Sequence, residues 1–284
     1  MSRLTLFHVG FLFLILFFTT TAKAQKEAET FNVDSTLYEY YQRCQEYLLE
    51  PVVLSMSDTL FRMAGERHDE RMQAVAIATR LDYYYFQGTN EDSVIHYTNK
   101  VKEFAKATHQ PKYYYFAWAN RLVTYYLKTS RTNIALYEVQ NMLKEAQKED
   151  DKTGLSRCYN IMSQIYTIKR FDSMAFEWRL KEIELTEKYK IENYNISQTY
   201  AQIANYYINQ KKQKEALAAV EKAIATANSS TQQISAKLEF VNYYSKFGDF
   251  QAAEKLLKEC QAAFEQDKRL ESIKKRLYNI ECLY

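Results

Sequence analysis

The stretch YAQIANYYINQKKQKEALAAVEKAI, from Tyr200 to Ile224, contains two apolar patterns separated by a polar segment. The first pattern consists of Tyr200, Ile203, Ala204 and Tyr207, and the second of Ala216, Leu217, Val220, Ala223 and Ile224. In both, apolar residues recur at spacings of three and four, as on one face of an α-helix. The stretch therefore predicts two antiparallel helices joined by a short turn.

The same hairpin pattern recurs along the chain at intervals of 37 to 41 residues. In each copy a tyrosine is followed nine positions later by a small or branched apolar residue. The pairs are Tyr85 and Val94, Tyr126 and Ala135, Tyr166 and Ala175, Tyr207 and Ala216, and Tyr244 and Ala253. A fixed period of this length predicts stacked helix pairs instead of one closed core.

The composition agrees with a helical chain. Only five glycines and two prolines occur among 284 residues, while 47% of the residues are hydrophobic. Since glycine and proline mark most turns, this scarcity favours helices joined by short connections over a strand-rich fold.

The repeated pattern resembles the tetratricopeptide repeat (TPR). Repeats of that family have large residues at places four, seven and eleven and small residues at places twenty and twenty-seven. The resemblance implies an all-α fold, a right-handed superhelical solenoid of antiparallel helix pairs. It covers residues 36–284, as about six helix pairs and a terminal helix. The period of about 40 exceeds the roughly 34 residues of the family, so each unit has extra helical residues.

Three parts of the chain depart from the repeat. In the fourth unit, Arg179 and Glu182 occupy places where apolar residues are expected, and a shift of one residue would recruit Met174 and Trp178 instead. Residues 36–64 form a weak first unit, which we interpret as an N-terminal cap. Residues 270–284 form an amphipathic helix that is either a cap or the link to a longer protein.

The first 24 residues have the layout of a secretory signal peptide. Arg3 precedes an uncharged apolar run over residues 9–18, and small residues stand at Ala22 and Ala24. We predict cleavage after Ala24 and a periplasmic or secreted protein. Residues 25–35 would form a short N-terminal segment. The alternative is an uncleaved membrane anchor, but the apolar run is shorter than the roughly 20 residues that a spanning helix needs.

The charge balance argues against a nucleic-acid partner. The chain has 38 basic and 35 acidic residues, and removal of residues 1–24 would leave 36 basic residues. A nearly neutral chain with interspersed charges lacks the basic surface of a nucleic-acid binder.

The residues with reactive or metal-binding side chains do not form a catalytic or metal motif. The cysteines stand at positions 44, 158, 260 and 282, too far apart for a metal or redox motif, and Cys260 with Cys282 is the one disulfide pairing that we would test. Isolated histidines lack the spacing of a zinc helix, and the chain has no glycine-rich phosphate loop or nucleophile motif. We therefore predict no catalytic residue, no metal, no cofactor and no enzymatic activity.

The resemblance also implies candidate partner-binding residues. In TPR proteins, places two, five, nine, twelve and thirteen of the first helix face a concave groove. With each repeat tyrosine taken as place eleven, the candidates are Tyr83, Asn120, Thr124, Lys128, Arg157, Asn160, Gln164, Asn205, Asn209, Asn242 and Lys246, together with Thr79 and Gln198. The set is rich in amides and contains no carboxylate. This chemistry suits the main chain and a free carboxylate of an extended peptide. The alternative is that these are ordinary solvent-facing residues.

Three functions remain open at this stage. The first is an exported, non-enzymatic repeat protein that binds a peptide or protein segment in its groove. The second is the periplasmic sensing segment of a truncated signalling protein, such as a histidine kinase, since exported arrays resembling this one often precede such domains. The third, a glycan-binding or glycan-degrading protein, lacks identifiable paired carboxylates. The sequence leaves the oligomeric state open.

Overall fold

The computed structural model describes residues 33–281, apart from the side chains of residues 268, 269, 272 and 281. All regular elements within this range are helices. The predicted signal peptide and Cys282 lie outside the described residues.

The chain divides into two compact units, Met1–Glu138 and Val139–Tyr284. The described part of unit 1 contains α1 (Ser35–Glu46), α2 (Val52–Glu66), α3 (Glu70–Gln87), α4 (Glu91–Ala107), α5 (Pro111–Ala117), a π-helical segment (Trp118–Val123) and α6 (Thr124–Lys128). Helix α7 (Thr132–Lys148) spans the boundary. Unit 2 contains α8 (Lys152–Ile168), α9 (Asp172–Tyr189), α10 (Ile196–Asn209), α11 (Gln213–Ala225), α12 (Ser230–Phe247), α13 (Phe250–Gln266), a 3-10 segment (Lys268–Ile273) and α14 (Lys274–Glu281).

Within each unit, the helices pack as successive hairpins. In unit 1, α2 packs against α3, α3 against α4 and α4 against α5, while α3 also touches both α1 and α5. In unit 2, each helix from α8 to α13 packs against the next one, and α12 also touches α10 and α14. First helices of adjacent hairpins therefore lie side by side. This arrangement confirms the all-α stack of helix pairs that the sequence predicts.

The small residues of the repeated pairs are completely buried. Their exposed fraction is 0% in every copy, at Val94, Ala135, Ala175, Ala216 and Ala253. Each lies in the first turn or two of a second helix, where a larger side chain would hold the paired helices apart. The paired tyrosines Tyr85 and Tyr126 are buried and the other three are half-buried.

The backbone of the repeat tyrosine closes the turn of four hairpins. Its carbonyl oxygen accepts a hydrogen bond from the amide five residues later. The acceptor and donor residues are Tyr126 and Arg131, Tyr166 and Phe171, Tyr207 and Lys212, and Tyr244 and Asp249. The residues before the donors, Ser130, Arg170, Lys211 and Gly248, have φ between 58° and 89°. This six-to-one bond with a left-handed residue is the Schellman termination of a helix. Three of these four left-handed positions carry a side chain, which costs conformational energy.

We expect substitutions at the left-handed positions to change stability in opposite directions. Gly248→Ala should lower the free energy of unfolding by about 1 kcal/mol, because φ there is 89°. A Cβ atom at this position meets nothing within 4 Å, so the effect is conformational. Lys211→Gly should raise the free energy of unfolding by about 0.5 kcal/mol, because the relief of backbone strain exceeds the effect of the entropy that glycine adds to the unfolded chain.

Urea denaturation followed by circular dichroism measures both changes. Lys211→Ala is the control, because it removes the same side chain and keeps the strained φ. Equal effects of the two Lys211 substitutions would contradict the conformational explanation.

The fourth unit keeps its register despite its two charged residues. Arg179 is 8% exposed and Glu182 is 1% exposed, whereas Met174 is 42% exposed. The shift of one residue considered from the sequence therefore does not occur. The reason is a network of polar contacts that lets α9 bury charged side chains at apolar places.

Glu182 is the centre of this network. Asn160 donates to both of its carboxylate oxygens at 3.1 and 3.2 Å, and Asn193 donates to Oε1 at 2.9 Å. Thr199 adds a longer contact of 3.4 Å. Burial raises the pKa of Glu182, although these donors and Arg179 oppose the change. The carboxylate thus satisfies amides from two neighbouring segments of unit 2.

We predict that Glu182→Ala lowers the free energy of unfolding by about 3 kcal/mol. The substitution leaves the half-buried amides of Asn160 and Asn193 without their buried acceptor, and it also removes the negative charge near Arg179. Urea denaturation gives the difference.

Glu184→Ala is the matched control, because Glu184 lies two residues away on the exposed face of α9. Its effect should stay within about 0.5 kcal/mol. Similar losses for the two variants would show that the network does not stabilise the unit.

The last described helix covers an apolar face of unit 2. Leu277 and Ile280 of α14 are 5% and 6% exposed and pack in one cluster with Leu257 and Cys260 of α13. Burial raises the pKa of the Cys260 thiol to about 11, which disfavours its reactive thiolate.

Candidate functional site

A polar cavity of about 360 Å³ lies within unit 2. It brings together residues of α8, α9, α10, α12 and α14. Polar side chains that line it include Thr167, Arg179, Gln198, Gln202, Asn205, Asn209, Glu239 and Arg276. Three of these, Gln198, Asn205 and Asn209, belong to the partner-binding set predicted from the sequence.

Arg179 is a buried cation in the wall of this cavity. Its Nε donates to Gln202 Oε1 at 2.8 Å, and its Nη2 donates to Thr167 Oγ1 at 2.7 Å. Both acceptors are neutral. Asp172 and Glu239 also line the cavity, but among the described residues no carboxylate forms an ion pair with the guanidinium. Burial lowers the pKa of Arg179, while the more distant Glu182 and Asp172 oppose that change. The site therefore holds a positive charge that the protein itself neutralises only at a distance.

Asn205 and Asn209 form a chain of amides one turn apart on α10. Asn209 donates to Asn205 Oδ1 at 3.1 Å, and Asn205 donates to Glu239 Oε2 at 3.4 Å. Glu239 is 6% exposed and also pairs with Arg276 of α14. The buried carboxylate thereby sets the orientation of Asn205, and Asn205 in turn orients the exposed Asn209.

The same arrangement occurs on α8. Gln164 donates to Asn160 Oδ1 at 2.7 Å, and Asn160 donates to the buried Glu182. In both places the outer amide is exposed, whereas the inner amide is held by a carboxylate. Asn160 and Gln164 do not line the cavity.

The sequence analysis missed the carboxylates that hold these amides. The predicted set contains no acidic residue, yet Asn160 donates to Glu182 and Asn205 donates to Glu239. A signal existed for Glu182, because it occupies an apolar place of the repeat. Glu239 gave no comparable signal.

The other predicted residues of unit 2 lie outside the cavity. Arg157 is half-buried, and burial lowers its pKa although Glu182 opposes the change. Asn242 donates to Glu239 Oε2 at 3.4 Å, and Lys246 is exposed. The structure thus assigns Asn242 a contact within the protein.

Two predicted residues of α3 contribute to packing. Thr79 is 1% exposed and donates to the Val75 carbonyl at 2.9 Å. The expectation that Thr79 faces a groove is therefore wrong, because its hydroxyl is satisfied one turn earlier and its methyl group can be buried. Tyr83 packs against the apolar cluster of α1, α2 and α3, and its ring meets that of Tyr84 edge to face at 5.1 Å.

The predicted residues Asn120, Thr124 and Lys128 lie on one face around the π-helical segment. Thr124 Oγ1 lies 2.7 Å from the Asn120 carbonyl oxygen and 3.2 Å from the Tyr85 hydroxyl. The Lys128 ammonium lies 3.9 Å from the centre of the Tyr85 ring, a cation–π distance. Thr124 and Lys128 thus both contact Tyr85 of the preceding hairpin.

Arg121, which the sequence analysis did not select, is the strongest charged contact of this region. Its Nε and Nη2 donate to the two carboxylate oxygens of Asp82 at 2.5 and 3.1 Å. The guanidinium carbon also lies 4.7 Å from the centre of the Phe116 ring. Since this cation is neutralised and covered, it differs from Arg179 in having no need of an outside anion.

Among the residues that the structure describes, no group of three or more His, Cys, Asp or Glu side chains could hold a metal ion. None of the helices within 33–281 combines the length and the apolar character that crossing a bilayer requires.

No protein-family model matches the sequence, and no curated protein matches it either. Solved structures do match its fold. BtubC (BKLC) from P. vanneervenii is 14% identical, with a TM-score of 0.58 over 82% of this chain and 93% of that chain. NprR, solved in complex with its cognate peptide NprX, is 17% identical, with a TM-score of 0.51 over 92% of this chain and 81% of that chain.

At such low identity the likeness concerns the fold. It agrees with the repeated tyrosine and small-residue pairs and with the packing of successive hairpins within each unit. The chain therefore has a tetratricopeptide-like fold of repeated helix pairs.

Proposed function

We propose that this chain is a non-enzymatic repeat protein that binds an extended segment of a peptide or protein. The polar cavity of unit 2 is the part of the surface that we assign to this function. The observation that carries the proposal is Arg179, a buried guanidinium without a paired carboxylate, in the same cavity as the oriented amides Asn205 and Asn209.

The ligand that suits this cavity carries both a main chain and a negative group. A carboxylate could accept hydrogen bonds from Arg179, whose present acceptors are neutral, through short and strong charge-assisted contacts. Amide side chains donate and accept at once, so Asn205, Asn209 and Gln198 can pair with the N–H and C=O groups of a peptide. A free acidic peptide terminus or an acidic side chain supplies both features.

A neighbour of similar fold adds support. The NprR structure contains a bound peptide, and that chain shares the TPR-like fold over most of its length. Helical repeats of this kind expose successive first helices whose side chains can contact an extended partner. The proposal for the present chain nevertheless rests on its own cavity.

We predict that Arg179→Gln removes the selection for acidic peptides. The full chain, immobilised, is incubated with a random heptapeptide pool whose C-termini are amidated, so that only Asp and Glu side chains supply carboxylates, and the retained peptides are identified by mass spectrometry. We expect the wild type to enrich peptides that carry a carboxylate. Loss of one charge-assisted interaction, worth about 1.5–3 kcal/mol, should lower that enrichment by about tenfold or more.

Lys181→Gln is the matched control, since it removes the same charge two residues away on the exposed side of α9. It should leave the enrichment unchanged. Asn205→Ala should weaken retention of all peptides without loss of helicity. Equal retention by wild type and Arg179→Gln would overturn the assignment of the cavity.

We also propose that the protein is exported and acts in the periplasm or outside the cell. The support is the sequence of residues 1–24, with its basic start, apolar run and small residues before Gln25. An exported protein would meet peptides and protein segments outside the cytoplasm.

Expression of the full chain with a C-terminal tag in a bacterium tests export. We expect N-terminal sequencing of the periplasmic product to begin at Gln25. Leu14→Arg should keep the protein uncut in the cytoplasm, because a charge interrupts the apolar run. A wild-type product that retains residues 1–24 would contradict the proposed cleavage.

A further inference from the structure

Unit 1 contains a second cavity, larger than that of unit 2 and different in chemistry. Its volume is about 550 Å³, and it lies between α2, α3 and α4. None of its lining residues belongs to the partner-binding set predicted from the sequence. We propose that this cavity binds an uncharged aromatic ring.

Aromatic side chains form the two ends of the cavity. At one end Phe61 of α2 meets Phe104 of α4 edge to face, with ring centres 5.8 Å apart. At the other end Tyr97 of α4 is stacked on Tyr84 of α3, with ring centres 5.4 Å apart and planes 10° apart. Tyr97 and Phe104 are two helical turns apart, about 10 Å along the helix. The space between them can therefore hold a ring in contact with aromatic surfaces.

Arg80 adds a flat cation, and each of its three nitrogens already donates a hydrogen bond. Nε donates to Ser57 Oγ at 2.9 Å, Nη2 donates to Asp58 at 2.7 Å, and Nη1 donates to the Tyr97 hydroxyl at 3.4 Å. The guanidinium carbon lies 5.7 Å from the centre of the Tyr97 ring. Since each nitrogen is bound to a wall atom, Arg80 offers a planar surface for stacking instead of a site for an anion.

The charges that line the cavity balance. Arg80 is paired with Asp58, and the exposed Lys100 stands three residues before the exposed Glu103 on α4. The attraction of a charged ligand to one of these groups would therefore be offset by repulsion from a group of the opposite charge. The cavity differs from that around Arg179 in that its guanidinium is paired with a carboxylate, whereas Arg179 bonds only neutral acceptors, and this pairing favours an uncharged ring.

The dimensions agree with a small ligand or one side chain. A volume of about 550 Å³ falls in the range of sites that bury small organic molecules. The floor includes Ala76 and Ile77 of α3, so the ring would rest on apolar atoms while its faces meet Tyr97, Phe104 and Arg80. The ring can belong to a free molecule or to an aromatic side chain of a partner polypeptide.

Titration of the full chain with indole, followed by saturation-transfer NMR, tests the proposal. A second titration uses the unstructured peptide Gly-Ser-Gly-Trp-Gly-Ser-Gly with both ends blocked. Binding of both probes with comparable affinity supports a site for a partner's side chain. Binding of indole alone supports a site for a free aromatic molecule, and binding of neither overturns the proposal.

Two variants locate the binding. Phe104→Ala should weaken indole binding about tenfold, because it removes one aromatic wall. Ala107→Phe should do the same by filling the mouth of the cavity from an exposed position that folding does not depend on. Tyr137→Ala is the control, since it removes an aromatic ring that is 61% exposed and lies outside the cavity. Unchanged binding in both Phe104→Ala and Ala107→Phe would overturn the proposal.

This test is independent of the proposed peptide site. The aromatic cavity lies in unit 1, and Arg179 lies in unit 2. Arg179→Gln should lose the selection for acidic peptides and keep indole binding. Ala107→Phe should lose indole binding and keep the selection for acidic peptides.

Discussion

The structure depends on the close approach of two helices within each hairpin. Five small or branched residues, from Val94 to Ala253, have no exposed surface, and each lies where the second helix meets the first. Because every atom added at such a contact must be accommodated in a close-packed interface, the positions restrict residue size strongly. The repeat tyrosines fill the wider space toward neighbouring helices. The small buried residues allow the two helices of a hairpin to approach closely, and the tyrosines allow each hairpin to pack on the next within its unit.

A backbone hydrogen bond ends the first helix of four hairpins. In four hairpins the tyrosine carbonyl accepts the amide five residues later, and a left-handed residue makes this geometry possible. Glycine occupies that place at Gly248, whereas Lys211 and two other residues adopt it at a cost in energy. Tertiary packing evidently outweighs this local cost, since the same turn recurs with different residues. The hairpin is therefore specified by its buried faces more than by its turn sequence.

Two buried carboxylates organise the polar contacts of unit 2. Glu182 and Glu239 are buried carboxylates, and each orients an asparagine that the repeat would place on a surface. A buried carboxylate that accepts several amide hydrogens offsets part of its desolvation and rigidifies its neighbours. Arg179 shares the environment but lacks a paired acid. The contrast with Arg121, which is bidentate with Asp82, explains why we assign ligand binding to Arg179.

The sequence by itself determined the helical hairpins, their period and the buried small residues, because apolar periodicity and residue size act locally and repeat. It also placed Asn205 and Asn209 among the candidate residues. Only the tertiary structure decided that Thr79 is buried, that Glu239 holds Asn205, and that aromatic rings of separate helices enclose a cavity. Those outcomes depend on which side chains of distant segments meet, and a pattern along one helix does not contain that information.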